Sequence, residues 1–324
     1  MRIPYIATNF PSGSSAALVG NRHLTTSWTD IVWAAVTAGK PGASHLLAHR
    51  WHSLADLVVR THAVYANLQQ RGQQIDRSPL YDSLDPTEKG ATSYFLGMAM
   101  AKLFAAPLFA TPWLFHVSMA SGLGTTLSFK RGSKSQPDLI GQTTSGEWII
   151  VEAKGRTNGL DANTLKKAKA QTRMIRTVNG HAPTLRVALQ VYFADCLRVC
   201  VDDQDGSDPE AVDLHLDVDA AFGRYYAFVE AITAGSPSRE NVRQRDFETV
   251  FDADSGITIG VESELLNDVA AGRSDRIRAR RTGQRSKRVE GEDGAIIYPD
   301  SLLVRLDPRW SSSLMSLEPD ARSG

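Results

Sequence analysis

The sequence predicts an α/β fold whose core runs helix, three strands, helix, strand over residues 86–193. Three stretches carry that expectation. Asp85-Pro86-Thr87-Glu88 is a helix start, and apolar residues at helical spacing follow it to about Ala106. Two apolar runs, one headed by Asp138 and one from Trp148 to Ala153, flank a polar turn and read as a hairpin. A basic helical stretch from Asp161 to Val178 then leads into the apolar run Thr184–Phe193. Around this core we expect an N-terminal helical extension over residues 1–80. Residues 81–324 form the remaining unit, with an elaborated C-terminal half.

Taken in order, residues 1–26 are rich in Ser, Gly and Thr and read as irregular. Trp28–Thr37 reads as a short helix, stopped by Gly39-Lys40-Pro41-Gly42. Ser44–Arg71 reads as a long amphipathic helix; His45, His49 and His52 share its polar face, which is taken as solvated. In the helix from Pro86, Asp85 is placed to cap the first turn and Glu88 falls at the reciprocal capping position. Trp113–Ser118 and Thr125–Lys130 read as strands. Downstream, the acidic stretch Asp202–Asp219 reads as a loop and Asp219–Ala234 as a helix. Phe247–Phe251 and Ile257–Val261 read as strands, Ser263–Ala271 as a helix. Arg273–Arg288 holds eight basic residues and one acid without apolar periodicity, and reads as a loop. Ala295–Leu306 reads as two last short strands, and Trp310 onward as a polar tail.

Bulk composition sets limits. The chain has 324 residues, 42% hydrophobic and 22% charged, ordinary for a globular protein. Lys plus Arg and Asp plus Glu both number 36, so any basic surface is local rather than global. The two cysteines, Cys196 and Cys200, lie about 13 Å apart at strand rise, too far for a disulfide. That usage and the lack of an N-terminal apolar signal run point to a reducing, cytoplasmic setting. Tyr94–Phe115 carries Lys102 mid-span and is broken by Pro107 and Pro112, so a buried helix followed by a strand is expected and no membrane segment.

The chemistry concentrates in Pro137-Asp138 and Glu152-Ala153-Lys154. Strand side chains alternate faces, so Glu152 and Lys154 point one way while Ile149, Val151 and Ala153 point to a core. Asp138, on the neighbouring strand, can converge with them. Lys154 is the only one of ten lysines with a glutamate two positions before it. Two carboxylates held close repel unless a cation sits between them. Hard divalent ions such as Mg²⁺ take carboxylate oxygens, waters and phosphate oxygens. A lysine beside them can orient or deprotonate a water. The combination suits metal-assisted phosphodiester hydrolysis.

Pro137-Asp138 followed by Glu152-Ala153-Lys154, inside this element order, resembles the PD-(D/E)XK nuclease superfamily with its restriction-endonuclease-like fold. The resemblance covers about a third of the chain. It implies a mixed central sheet flanked by helices, Mg²⁺ as cofactor with Mn²⁺ as a substitute, and a nuclease acting on nucleic acid, DNA by analogy. A role in restriction, phage defence or repair would follow, as a homodimer or within a larger complex. It implies Asp138 and Glu152 as metal ligands, Lys154 as the catalytic lysine, and Glu88 as a further acid from the preceding helix. Gln171 matches the glutamine that some branches place with a tyrosine four residues on; here that position is Ile175, a departure from those branches. The candidate phosphate contacts are Lys166, Lys167 and Arg173 on the basic helix and Arg276, Arg280 and Arg281 in the basic loop. The alternative is a nucleic-acid-binding or assembly subunit that keeps the fold without cleaving, against which the intact Asp138, Glu152 and Lys154 argue.

Overall fold

The computed structural model describes residues 1–11, 14–38, 50–117, 136–203, 205–235, 237–279, 287–291 and 293–310. In chain order the N-terminal part holds β1 (Arg2–Thr8), β2 (Gly20–Thr25), α1 (Trp28–Thr37), α2 (Arg50–Asn67), β3 (Leu68–Arg71), β4 (Gln74–Arg77) and α3 (Pro79–Ser83). The middle holds α4 (Pro86–Leu108), β5 (Trp113–His116), β6 (Leu139–Gln142), β7 (Trp148–Gly155), α5 (Ala162–Thr172), β8 (Ile175–Val178), β9 (Leu185–Phe193) and β10 (Leu197–Asp203). The remainder holds β11 (Val212–Leu214), α6 (Val218–Thr233), β12 (Ser238–Val242), β13 (Arg245–Asp252), β14 (Ile257–Glu262), α7 (Ser263–Ala270), α8 (Ser274–Ala279), β15 (Val289–Glu290), β16 (Ile296–Ile297) and β17 (Leu302–Leu306).

The protein is a mixed α/β structure whose central sheet has helices on both faces. The sheet runs β3-β4-β1-β10-β9-β7-β6-β5, with β2 beside β1. β5, β6 and β7 form an antiparallel meander. β9 returns parallel to β7 by way of α5, β10 is antiparallel to β9, and β1 is parallel to β10. Because β7 is covered on both faces, its first six residues are all buried, which is why it reads as a nearly continuous apolar run. The C-terminal strands form a separate six-stranded sheet, β12-β13-β14-β17-β16-β15.

α4 begins as its sequence dictates. Asp85 accepts the N–H groups of Thr87 and Glu88, Glu88 returns the bond to the Asp85 N–H, and Pro86 occupies the first turn. From Ser93 to Gly97, α4 presses onto the end of β7. A Cβ on Gly155 would lie 1.7 Å from the Ser93 carbonyl oxygen, and one on Gly97 2.9 Å from the Gly155 nitrogen. Only glycine at both positions allows that approach. It places α4 on the Val151–Ala153–Gly155 face of β7. α5 lies on the opposite face, the one carrying Glu152 and Lys154.

A buried polar cluster ties α1, α6 and the turn before β17 to α4. Asp300, fully buried, accepts the indole N–H of Trp33 at 2.9 Å and the hydroxyl of Tyr225 at 2.6 Å. Lys102 of α4, also fully buried, lies 3.6 Å from Asp300 and donates to the Pro112 carbonyl and the Tyr225 hydroxyl. Burial pushes the Lys102 ammonium down to about 8, and Asp300 opposes that shift. Trp33 stacks flat on Tyr298 at 4.3 Å, and the Tyr298 hydroxyl donates to Asp30.

Several expectations are corrected. Residues 1–80 are not simply a helical extension: they supply four strands, and β1 sits inside the central sheet with Ile3, Tyr5 and Ala7 buried. The strand was hidden by Pro4 and by a polar flank. The helix expected over Ser44–Arg71 is described from Arg50 and ends at Asn67, after which β3 and β4 form a hairpin through Gly72 at φ 60°. The helix expected from Asp161 to Val178 stops at Thr172, because Ile175–Val178 pairs with β11 instead. Asp202 and Asp203 are buried in β10, not in an acidic loop. Arg273–Arg288 contains α8, anchored by buried Ile277. Trp310 is buried against Trp28 and Tyr65 rather than opening a polar tail. The first strand after α4 ends at His116, and the one expected over Thr125–Lys130 lies outside the described residues. So do His45, His49 and the side chain of His52.

The glycine contact makes a matched test. Gly155→Ala will lower stability by about 1–3 kcal/mol or more, because backbone must move to admit the methyl. Gly90→Ala, in α4 with nothing within 4 Å of the new Cβ, will raise it by roughly 0.5–1 kcal/mol. Urea unfolding of both variants against wild type decides; equal effects would show that α4 can slide on β7.

Candidate active site

β6 and β7 pair with Leu139 opposite Val151 and Ile140 opposite Ile150. One further step along that register sets Asp138 opposite Glu152, so their side chains share a face. The strands also exchange side-chain contacts here. The Glu152 carboxylate accepts the Asp138 N–H at 2.7 Å, and the Asp138 carboxylate accepts the Ala153 N–H at 3.2 Å. Asp138 is further held by its carbonyl, which accepts the Val117 N–H at 2.9 Å. Lys154, two residues on from Glu152 and therefore on the same face, donates to the other Glu152 oxygen.

The electrostatics are unbalanced. The Glu152 side chain is fully buried, while that of Lys154 is 28% exposed and Asp138 is half-buried. Burial first, and the neighbouring Asp138 charge second, push the Glu152 carboxyl up to about 7; Lys154 and the Asp138 N–H oppose the shift without cancelling it. The cluster thus sets two carboxyl groups against one lysine. That donor set fits a hard divalent cation, with the Ala153 carbonyl, waters and a phosphate oxygen able to fill its remaining positions. Among the described residues, no group of three or more His, Cys, Asp and Glu side chains is placed to hold a metal. The third acid of the expected set, Glu88, is engaged in capping α4.

The other expected residues fall in different places. Gln171, near the end of α5, donates to the Gln136 carbonyl at 3.1 Å, two residues before Asp138. Lys167 precedes it by one turn on the same helix face and is exposed. Lys166 and Arg173 face the other flank of α5, where with Lys169 and Asp202 they line a cleft of about 430 Å³. Arg276 is exposed on α8, whose Arg278 donates to Gln142, at the end of β6 away from Asp138. Arg278 is therefore placed away from Glu152. Arg280 and Arg281 lie outside the described residues.

The structure adds residues that sequence reasoning missed. Gln190 stands beside Lys154 in the β7–β9 register, is fully buried, and clamps the main chain of Asp161 with both ends of its amide. Asp161 caps α5, so Gln190 fixes where that helix starts over the site. The row Asp138–Glu152 continues across the sheet through Ala188 to Asp202 and Thr8. Asp202 accepts from Thr8 and Asn9 and pairs with Lys169 of α5 at 2.8 Å. Asn9 holds a left-handed backbone, φ 61°, to reach it. On α4, the Tyr94 phenol is shifted upward by burial first and then by Asp138 and Glu152. Burial lowers the His116 imidazole, against an opposing effect from Asp138. A lone glutamine inside the apolar strand Leu185–Phe193 was the one signal available for these.

The pH dependence follows from Glu152. Its folded value lies above the unfolded one of 4.5. Between about 4.5 and 7 the folded chain holds a proton that the unfolded chain has lost, so this group's contribution to stability falls as pH rises through that window. A bound divalent cation must displace the proton. If the pair holds Mn²⁺, its affinity is expected to drop by up to about tenfold per pH unit below pH 7, read by calorimetric titration, and Glu152→Ala to abolish the binding. A flat profile from pH 5 to 8 in the wild type would sink the assignment.

No family model matches the chain, and no curated protein or solved structure matches it either.

Proposed function

We propose that the chain is a divalent-metal-dependent nuclease of the PD-(D/E)XK type, with a restriction-endonuclease-like core formed by α4, β5–β7, α5 and β9. The observation that carries this reading is Asp138 facing Glu152 across the β6–β7 pair with Lys154 on the same strand face. The element order supports it, since the antiparallel meander is followed by a helix and a parallel strand.

In this reading Asp138 and Glu152 would hold Mg²⁺. The ion, when bound, supplies a Lewis acid for the scissile phosphate and acidifies a water. Lys154 donates from Nζ to that water or to a phosphate oxygen, and so trades its present bond to Glu152 for one to substrate. Gln190 keeps α5 seated over the site through Asp161. Gln171 steadies the Gln136 carbonyl and so the approach to Asp138. Lys167, on the Gln171 face, offers a cation to the phosphate backbone beside the cut, while Lys166 and Arg173 lie on the other flank of α5. DNA is preferred over RNA as substrate on the resemblance alone.

One observation favours the second reading, a subunit that binds nucleic acid without cutting it. Glu152 is wholly buried, and both of its oxygens already accept hydrogen bonds. The two readings separate in one experiment. Wild type, Asp138→Ala and Lys154→Ala are incubated with supercoiled plasmid and single-stranded DNA in Mg²⁺ or Mn²⁺, and retention of the DNA is measured in parallel. Cleavage by wild type that drops on the order of 10²–10³-fold in both variants is expected. Binding without cleavage would select the second reading, and equal cleavage by Lys154→Ala would place the activity elsewhere.

A further inference from the structure

A cavity of about 370 Å³ opens between α1 and α4. Its walls are apolar, from Leu24, Trp33, Leu103, Ala106 and Pro107. Its charged groups are Asp30, Lys287 and Arg288. Asp30 is engaged: it caps α1 through Ser27, and accepts the Tyr298 hydroxyl at 2.8 Å and the Arg288 guanidinium at 2.7 Å. Arg288 also reaches Glu290, an exposed carboxylate outside the cavity lining, at 3.8 Å, so Arg288 is balanced by acids and the remaining lining charge is that of Lys287. Lys287, exposed at its rim, is the cation beyond the Asp30–Arg288 pair.

The walls are rigid. Trp33 is held by its stack on Tyr298, by its N–H to Asp300 and by the Lys102 ammonium 4.5 Å from its ring centre. At the foot of the cavity Ala110 adopts a left-handed backbone, φ 48°, where an alanine is strained, and its carbonyl accepts the Thr144 N–H at 2.9 Å. Thr144 lies in the β6–β7 turn, at the end of that hairpin away from Asp138 and Glu152, and it also lines the cavity. The cavity and the carboxylate pair are thus separate places on one hairpin.

We propose that this cavity is a binding site for a small apolar monoanion, such as an aromatic carboxylate. The edge of the locked Trp33, whose faces are covered by Tyr298 and Lys102, and the aliphatic walls would take the ring, and Lys287 with Arg288 would take the carboxylate. A volume near the lower end of the range for small-molecule sites admits a ligand of one or two rings rather than a dinucleotide. The proposal stands independently of the nuclease reading.

Three isosteric probes test it by calorimetry or ligand-observed NMR: 2-naphthoate, its neutral amide 2-naphthamide, and the cation 2-naphthylmethylamine. Naphthoate is expected to bind at least about tenfold more tightly than the other two, the ratio that 1.4 kcal/mol gives. Ala106→Trp, which fills the cavity, should abolish binding with its circular dichroism unchanged. Lys287→Glu, an exposed change that leaves the core alone, should weaken naphthoate by about tenfold and bring the amine level with it or ahead. Absence of naphthoate binding to wild type, equal affinity for all three probes, or affinity untouched by Lys287→Glu would each overturn the proposal. Should Ala106→Trp fail to fold, Lys287→Glu alone decides.

Discussion

A carboxylate with no access to water, Asp300, is the constraint on which the architecture rests. It stands near the end of the described chain, yet its partners come from the first helix, from α4 and from α6. A charge sealed from solvent is tolerated only when its oxygens are answered by donors and its charge by a cation. Trp33, Tyr225 and Lys102 answer Asp300 from three directions. Removing Lys102 alone would leave the acid uncompensated, which costs more than the pair itself contributes. The cluster fixes how α4 lies, and α4 in turn carries Ser93 and Gly97 to the end of β7.

The same logic runs in reverse at Glu152. There a buried acid is undercompensated: Lys154 is partly open to water, and a second carboxylate stands across the strand pair. A structure built for stability alone would resolve that conflict with an apolar residue. Asp300 and Glu152 are both fully buried, so burial by itself does not distinguish them. What separates them is the balance of charge around each.

The site was legible where its chemistry follows short periods. Glu152 and Lys154 alternate on one strand, Asp138 is their cross-strand neighbour through a short turn, and the capping pair Asp85 and Glu88 is spaced by a single helical turn. All of that is local. What could not be read depends on distant partners. β1 is a strand because β10 lies beside it, and its Pro4 and polar flank argue otherwise when seen alone. Ile175–Val178 continues a helical pattern until β11 offers it a parallel partner. Gln190 looks like a misplaced polar residue until Asp161 is seen against it. Asp202 belongs to an acidic run in sequence and to the polar row of the sheet in space.

The insertion of β1 beside β10 sets an order of assembly on the ribosome. The hydrogen bond from Thr8 to Asp202 spans 194 residues. At typical elongation rates the N-terminal strand waits roughly 10–40 s for its parallel neighbour to be made. β2, which starts at Gly20, can cover one edge of β1 early by antiparallel pairing. The other edge, with Ile3, Tyr5 and Ala7 on its flank, stays open through that interval. The nascent chain therefore carries an unpaired apolar strand for most of its synthesis, and its yield in the cell is expected to be governed by translation speed and chaperone supply more than by the stability of the finished fold.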